Sequence, residues 1–479
     1  MNKHLIISGL LLLAGSLSLN AQVLYNNGKI HVGGTTTTNA LYIGGSMHVV
    51  GAGSITQTGK TVLTGDFVND VTSGNVFGAT RTGTFEFRGS DVQEIRGTAN
   101  KATGFIAFPD NLIINNSHTS HLNTIVKITP TMSATIKNLS FTRGRLVLDS
   151  NSGTNGGQRV SVIAHLLAET GGAITYKHEQ ASKVNEGVVQ VNLNLGDNWS
   201  TGRMAGFSPP FKHMYADYFF FNFLSRPTGS GFFSGSKDVW IHEPKTKLPA
   251  GTGYVLGQGL VPWDSSYYIE TLNPSYSTAV RSEAAQTDYA FARTLVPTSL
   301  SSFVNAAFTD EYTGEELNTG NVAVTLSNLD YNYLGNPYTV PLDLTELVDD
   351  QAVPTLSTAT WGAAASTLAR RFYVLSAGTG TYLPNKEFAF TVSYLTAQRV
   401  GGTMTAPYHI APMQMFAVQT TSSAQPSFTI PATKRTHGVA QFLRSDSNPV
   451  IDELLIETQD GQTGGFDRLC IVFRNNATL

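Results

Sequence analysis

The chain has 479 residues, enough for two or three domains at roughly 150 residues each, so a single small domain is excluded. Hydrophobic residues make up 41% and charged residues only 14%, against roughly 45–50% and 25% in ordinary soluble domains; Gly, Thr, Ser and Asn fill the difference and favour turns and strands over charged helices. With 31 Lys and Arg against 34 Asp and Glu, there is no basic footprint for nucleic acid or an anionic membrane.

Residues 1–21 read as a secretory leader: Lys3 and His4 give a positive start, residues 5–13 a short apolar core, and cleavage is expected after Ala21. That core is too short for the ~20 residues of a spanning helix, and no later stretch supplies one. Residues 22–165 then show short apolar triplets separated by glycine-rich corners. They include Leu41-Tyr42-Ile43, Met47-His48-Val49, Thr61-Val62-Leu63, Phe85-Glu86-Phe87, Leu112-Ile113-Ile114 and Leu146-Val147-Leu148. Several of them alternate with a period of two, as half-buried strands do. Strands this short suit a solenoid in which each stacks on its equivalent in the next coil, so a parallel β-helix-like domain is expected here, with a meandering sandwich as the alternative.

After residue 165 the strands lengthen and aromatics become frequent. The alternating run 188–195, the aromatic-rich run 215–223 and apolar runs at 239–241, 253–256, 322–326, 372–375, 388–392, 415–418 and 454–457 predict an antiparallel, jelly-roll-like β-sandwich region over 166–479, in one unit or two. Helical periodicity is confined to 282–295 and 342–348. The single cysteine, Cys470, lies in an apolar run and reads as a small buried strand residue; no disulfide or thiolate metal site can be built from it.

Catalytic constellations are sparse. His118 and His121 stand three apart in a polar loop, not on a helix, and no Gly-x-Ser-x-Gly elbow occurs. Parallel β-helices host polysaccharide lyases and hydrolases, but the acidic residues here, Asp66, Asp70, Glu86, Asp91, Glu94, Asp110 and Asp149, form no dense cluster, and Glu86 reads as the outward residue of its triplet. Asp349-Asp350 and Glu315-Glu316 read as solvated charges, with a surface calcium site as the alternative. The sugar-binding candidate is the loop Trp263, Asp264, Tyr267 and Tyr268, where rings could stack on a pyranose; Trp199 and Trp240 are further aromatic candidates, though core packing also calls for such residues.

Several segments resemble secreted surface proteins of Bacteroidetes-type bacteria that leave by the type IX secretion system. They are Leu19-Asn20-Ala21-Gln22, Gly83-Thr84-Phe85-Glu86-Phe87, Gln93-Glu94-Ile95, residues 111–116, residues 333–338, residues 410–418 and Phe428-Thr429-Ile430-Pro431. The resemblance implies export and cell-surface display. The C-terminal sorting sandwich usual in that group is not evident before Leu479, which leaves the periplasm as the alternative address.

The sequence thus leads to an all-β, exported, non-enzymatic scaffold or adhesin that binds a glycan or protein partner, without catalytic residues, cofactor or metal. The competing expectation is a carbohydrate-active enzyme, a polysaccharide lyase or glycoside hydrolase, using the solenoid or an inter-domain cleft.

Overall fold

The computed structural model describes residues 18–19, 23–34, 40–72, 74–98, 105–117, 125–155, 158–175, 188–194, 204–215, 222–226, 239–240, 247–258, 288–291, 317–326, 330–382, 388–405, 408–421, 427–438, 440–443, 452–459 and 466–473. The protein is all-β. Its front part forms parallel ladders that the chain visits in rotation. One sheet takes Ser18–Leu19, Ala40–Ile43, Lys60–Leu63, Thr84–Phe87, Asn111–Asn115, Asn138–Arg143 and Ile174–Thr175 in that order. A second takes Val23–Asn26, Ser46–Gly51, Phe67–Val71, Gln93–Arg96, Ile125–Ile128, Arg145–Leu148 and Val188–Asn194, and Asp288–Phe291 closes it by pairing antiparallel with the last. Shorter parallel sets complete the rotation: Lys29–Val32 on Ser54–Gln57, and Ile106–Ala107, Ser133–Ile136 and His165–Ala168. Within these parallel ladders chain neighbours therefore lie in different sheets, whereas the consecutive strands Ser150–Asn155 and Gln158–Ile163 pair with each other as an antiparallel hairpin.

Register explains why short strands suffice. Leu24, Met47, Phe67, Ile95, Ile128, Leu148 and Val191 stand opposite one another in successive strands of the second sheet. In the first sheet Ile43, Leu63, Phe87 and Ile114 do the same. All but Leu24 are buried, so each apolar side chain covers the one before it and a four-residue strand gains a full set of contacts from its neighbours. The interior also holds a cluster of five phenylalanines, Phe67, Phe77, Phe85, Phe87 and Phe108, all fully buried, with contacting ring centroids 5.2 to 6.1 Å apart.

The corners follow two rules. Gly51 has φ +54°, a left-handed bend that glycine adopts without strain. Gly83 does not need that conformation; a Cβ there would sit 2.1 Å from the Gly59 carbonyl oxygen, so stacking of one coil on the next excludes a side chain. Buried amides satisfy the corner backbone. Gln93 accepts from the Gly89 N–H at 2.7 Å and donates to the carbonyls of Gly65 at 2.7 Å and Leu63 at 3.1 Å.

The rear part is built on a five-stranded antiparallel sheet ordered Tyr331–Gly335, Met415–Thr420, Leu368–Tyr382, Phe388–Val400 and Thr403–Met404. One of its faces packs on Trp361, Phe428 and Ile430 through Phe372, Phe416 and Val418. A four-stranded antiparallel sheet, Met204–Phe207, Tyr254–Gln258, Asn222–Arg226 and Val239–Trp240, contributes Val255 to the opposite face. The turn at Gly335-Asn336-Pro337-Tyr338 is held by Asn336, whose side chain accepts from the Tyr338 N–H at 3.0 Å and donates to the carbonyls of Val340 and Ala411, each at 2.9 Å. The apolar core of the front ladders continues past residue 165 into Phe207, Leu248, Leu317, Met413 and Phe442.

Two helical expectations fare differently. Residues 288–291, inside the expected helix 282–295, are a strand, because pairing with the edge strand Val188–Asn194 satisfies their backbone and outweighs a weak helical pattern. At 342–348 the chain forms strand Leu342–Asp343 and a single turn, Thr345–Val348, whose first N–H donates to Asp343 at 2.8 Å. Cys470 lies in strand Phe466–Phe473, paired with Asp452–Gln459.

Phe85 makes ring contacts with four other phenylalanines. Phe85→Ala should cost about 3–5 kcal/mol, read as a lowered midpoint in urea unfolding, since the surrounding rings cannot all close into the void.

Candidate functional site

The outward faces of the front sheets are where a carbohydrate-active enzyme of this architecture would carry its carboxylates. Glu86 points outward as the triplet pattern requires, with Val62 and Ile113 as its neighbours in register. It is not open to solvent, being only 2% exposed. Lys60 reaches back from the previous strand to put Nζ 2.6 Å from the carboxylate, Arg88 Nε lies at 2.6 Å and Asn115 Nδ2 donates at 2.7 Å. Burial pushes this carboxyl up, yet the donors from Arg88, Lys60 and Asn115 outweigh it and hold the group below the usual glutamate value. An ionised carboxylate with three donors on it is a poor proton donor.

The second sheet carries a longer polar line. Arg96 bridges Asp66 at 3.2 Å and Glu94 at 3.7 Å, Lys127 bridges Glu94 at 3.0 Å and Asp149 at 3.4 Å, and Asn192, Gln190 and Arg145 extend the line by hydrogen bonds of 3.3, 2.8 and 3.0 Å. Beside it His48 Nε2 lies 2.6 Å from Asp70, which also accepts from the Thr98 N–H at 2.7 Å and hydroxyl at 2.9 Å. Burial raises the Asp70 pKa, but the Thr98 and His48 contacts more than reverse it. Each exposed pair contributes little alone, ~0–1 kcal/mol. Together they join consecutive coils, and on this line each carboxylate has a cation or histidine on it, in contrast to the open carboxylate pair that glycosidic cleavage requires.

The glycan candidates Trp263, Asp264, Tyr267 and Tyr268 lie outside the described residues, as do Trp199, Glu315, Glu316, His118 and His121. Trp240 is in a strand, paired with Ser225. Asp349 departs from the expectation of a solvated charge. It is 7% exposed, caps a turn by accepting from the N–H groups of Gln351 at 3.2 Å and Ala352 at 3.0 Å, and receives Arg399 Nη2 at 2.5 Å. A guanidinium in that position opposes a calcium site. Among the described residues no group of three His, Cys, Asp or Glu is arranged to hold a metal.

One constellation was invisible in the sequence. His437, 304 residues from Ser133, places Nδ1 2.5 Å from the Ser133 hydroxyl and Nε2 2.7 Å from the Thr135 hydroxyl, and its ring stacks on Phe105 with centroids 4.3 Å apart. A neutral imidazole has one donor and one acceptor nitrogen, and a hydroxyl serves either. Ser133 is fully buried, and the second ring nitrogen meets Thr135 where a catalytic triad would place a carboxylate, so this Ser–His pair is a latch. Burial pulls the His437 pKa down to about 4. Nearby, Arg435 donates to the Ala168 carbonyl at 2.8 Å, the Leu166 N–H and carbonyl bond Thr339 at 3.1 and 2.6 Å, and Phe442–Leu443 pair with Val160 and Ser161. The rear part thus seals one side of the ladders.

No protein-family model, no curated protein and no solved structure matches the chain.

Glu86→Gln should leave Lys60 and Arg88 facing each other around a neutral group. Breaking a buried pair costs about 3–5 kcal/mol; because both cations reach water, about 2–3 is expected in denaturant unfolding, with the loss reduced by salt. For His437 the folded pKa lies below the unfolded one, so between them the unfolded state binds the extra proton and stability falls as pH drops from about 6.5 to about 4, by up to about 3 kcal/mol. His437→Gln should flatten that slope in a pH series of thermal unfolding; an unchanged slope would show that the latch does not titrate.

Proposed function

We propose that the protein is a non-enzymatic, exported scaffold or adhesin in which the front ladders form a β-helix-like solenoid stalk and the antiparallel region contacts a glycan or protein partner. The observation that carries this reading is the occupation of the ladder carboxylates. Asp66, Asp70, Glu86, Glu94, Asp110, Asp149 and Glu169 each sit against a Lys, Arg or His, and apart from the local contacts of Arg88 with Glu86 and of Arg96 with Glu94 these partners come from another strand or loop, so the charges join neighbouring segments of the ladders. Parallel strands at ~4.8 Å spacing make the seven-membered stack about 30 Å long, a rigid spacer with a continuous core. The leader-like residues 1–21 and the resemblance to type IX secretion cargo favour display at the cell surface, with periplasmic retention as the alternative address.

Purified protein incubated with a polysaccharide panel and with extracellular-matrix proteins should be retained by a partner and release no reducing ends. Reducing ends that wild type produces and a single Asp→Asn or Glu→Gln variant does not would overturn the reading in favour of a carbohydrate-active enzyme. Protease treatment of intact producing cells should digest the protein; protection until the outer membrane is opened would assign it to the periplasm.

A further inference from the structure

The second face of the five-stranded sheet changes character along its length. Antiparallel register sets out three rows on it. The first is Gly335, Met415, Leu375 and Tyr394; the second is Tyr333, Ala417, Tyr373 and Thr396; the third begins with Tyr331 and Gln419 and continues through Arg371 and Gln398. Met415, Leu375, Ala417 and Tyr333 are buried against Val255, whereas Tyr331, Gln419, Arg371 and Gln398 are half-buried and reach the surface.

The half-buried groups are locked to one another. Arg371 donates through Nε and Nη2 to Gln419 Oε1 at 3.1 and 2.5 Å, and Gln419 Nε2 donates to Asp330 Oδ1 at 2.9 Å. Asp330 is itself fixed by its carbonyl, which accepts from the Thr420 N–H at 2.8 Å. The rings of Tyr331 and Tyr373 meet edge to face at 5.5 Å, and the Arg371 guanidinium lies 6.0 Å from the Tyr373 ring centre. Burial, followed by the neighbouring Tyr331, pushes the Tyr373 phenol up to about 12, so it keeps its proton.

We propose that this row, Tyr331, Tyr373, Arg371, Gln419 and Asp330, is a binding site for a neutral saccharide. The inference rests on the adhesive reading above and gives it a location. A sugar's adjacent hydroxyls need a donor and an acceptor side by side, and the row offers the guanidinium N–H groups beyond those that bond Gln419 and the Tyr373 side chain, with a second carboxylate oxygen on Asp330. Tyrosine C–H and ring surface suits the apolar face of a pyranose. The cation and the carboxylate balance, so an acidic sugar would gain from Arg371 and lose against Asp330; an uncharged one fits the row best. Because the side chains already hold one another, little ordering remains for a ligand to bring about.

The test uses affinity electrophoresis of the full chain in gels containing soluble β-glucan, galactomannan or xylan, with alginate as the acidic control. Wild type should be retarded by at least one neutral polymer. Gln419→Ala and Arg371→Ala should each weaken that retardation tenfold or more, and Arg371→Lys, which keeps the charge but not the fork, should weaken it less than Arg371→Ala; all three should unfold at wild-type urea concentrations within the loss of one hydrogen bond. Retardation by alginate alone, or retardation unchanged in folded Gln419→Ala and Arg371→Ala, overturns the site while leaving adhesion intact. Retention on matrix protein without any polysaccharide also overturns the site alone. Retention on nothing overturns both readings.

Discussion

Parallel in-register stacking around a filled interior is the constraint on which the rest of the protein depends. A strand of four residues has too few hydrogen bonds and too little apolar surface to persist alone. Placed between two equivalents, it bonds on both edges and buries its inward side chains under those of the next coil. Met47, Phe67 and Ile95 show the consequence: each is nearly inaccessible because its register partners cover it. The phenylalanine cluster fills part of that interior, and at Gly83 a side chain is excluded because the backbone at Gly59 lies against it.

The same stacking determines the outer faces. Side chains one coil apart are separated by a strand spacing, so Lys60 and Glu86, or Glu94 and Lys127, meet without effort and opposite charges settle against each other. This leaves the ladders polar outside, with opposite charges set against each other. The rear part attaches through groups of another kind: Arg435 on a carbonyl, His437 between two hydroxyls, and a short antiparallel pairing at Phe442–Leu443. These contacts bury polar atoms and satisfy them individually, which makes the junction specific in position as well as adhesive.

The front triplets were legible because alternation and glycine spacing are local. The strands Ala40–Ile43, Lys60–Leu63, Thr84–Phe87 and Asn111–Asn115 enclose the apolar triplets read from the sequence. A repeat length is not legible, and register shows why: partners lie 20 residues apart between Met47 and Phe67 but 43 apart between Leu148 and Val191, since the longer interval carries the antiparallel pair Ser150–Asn155 and Gln158–Ile163. Glu86 was correctly assigned to the outward face, but its cover comes from Lys60 and Asn115, which no pattern within Phe85-Glu86-Phe87 announces. The His437 latch and the Arg371–Gln419–Asp330 row were hidden for the same reason, being assembled from segments that only the fold brings together. The strand at 288–291 carries a helical pattern locally, and its partner, Val188–Asn194, lies a hundred residues upstream where no local signal reaches.

The seals on the ladders come from late in the chain, and this has a consequence for the order of events during biogenesis. Parallel strands between Val23 and Thr175 pair with partners mostly 20 to 35 residues away, so they can add to one another early. The strand that terminates the second sheet arrives only with Asp288–Phe291, and the latch only with His437. Closing loops of that span is slow, because their entropy is lost before any contact rewards it. The stack of parallel strands therefore keeps an unsealed flank until nearly all of the chain is present.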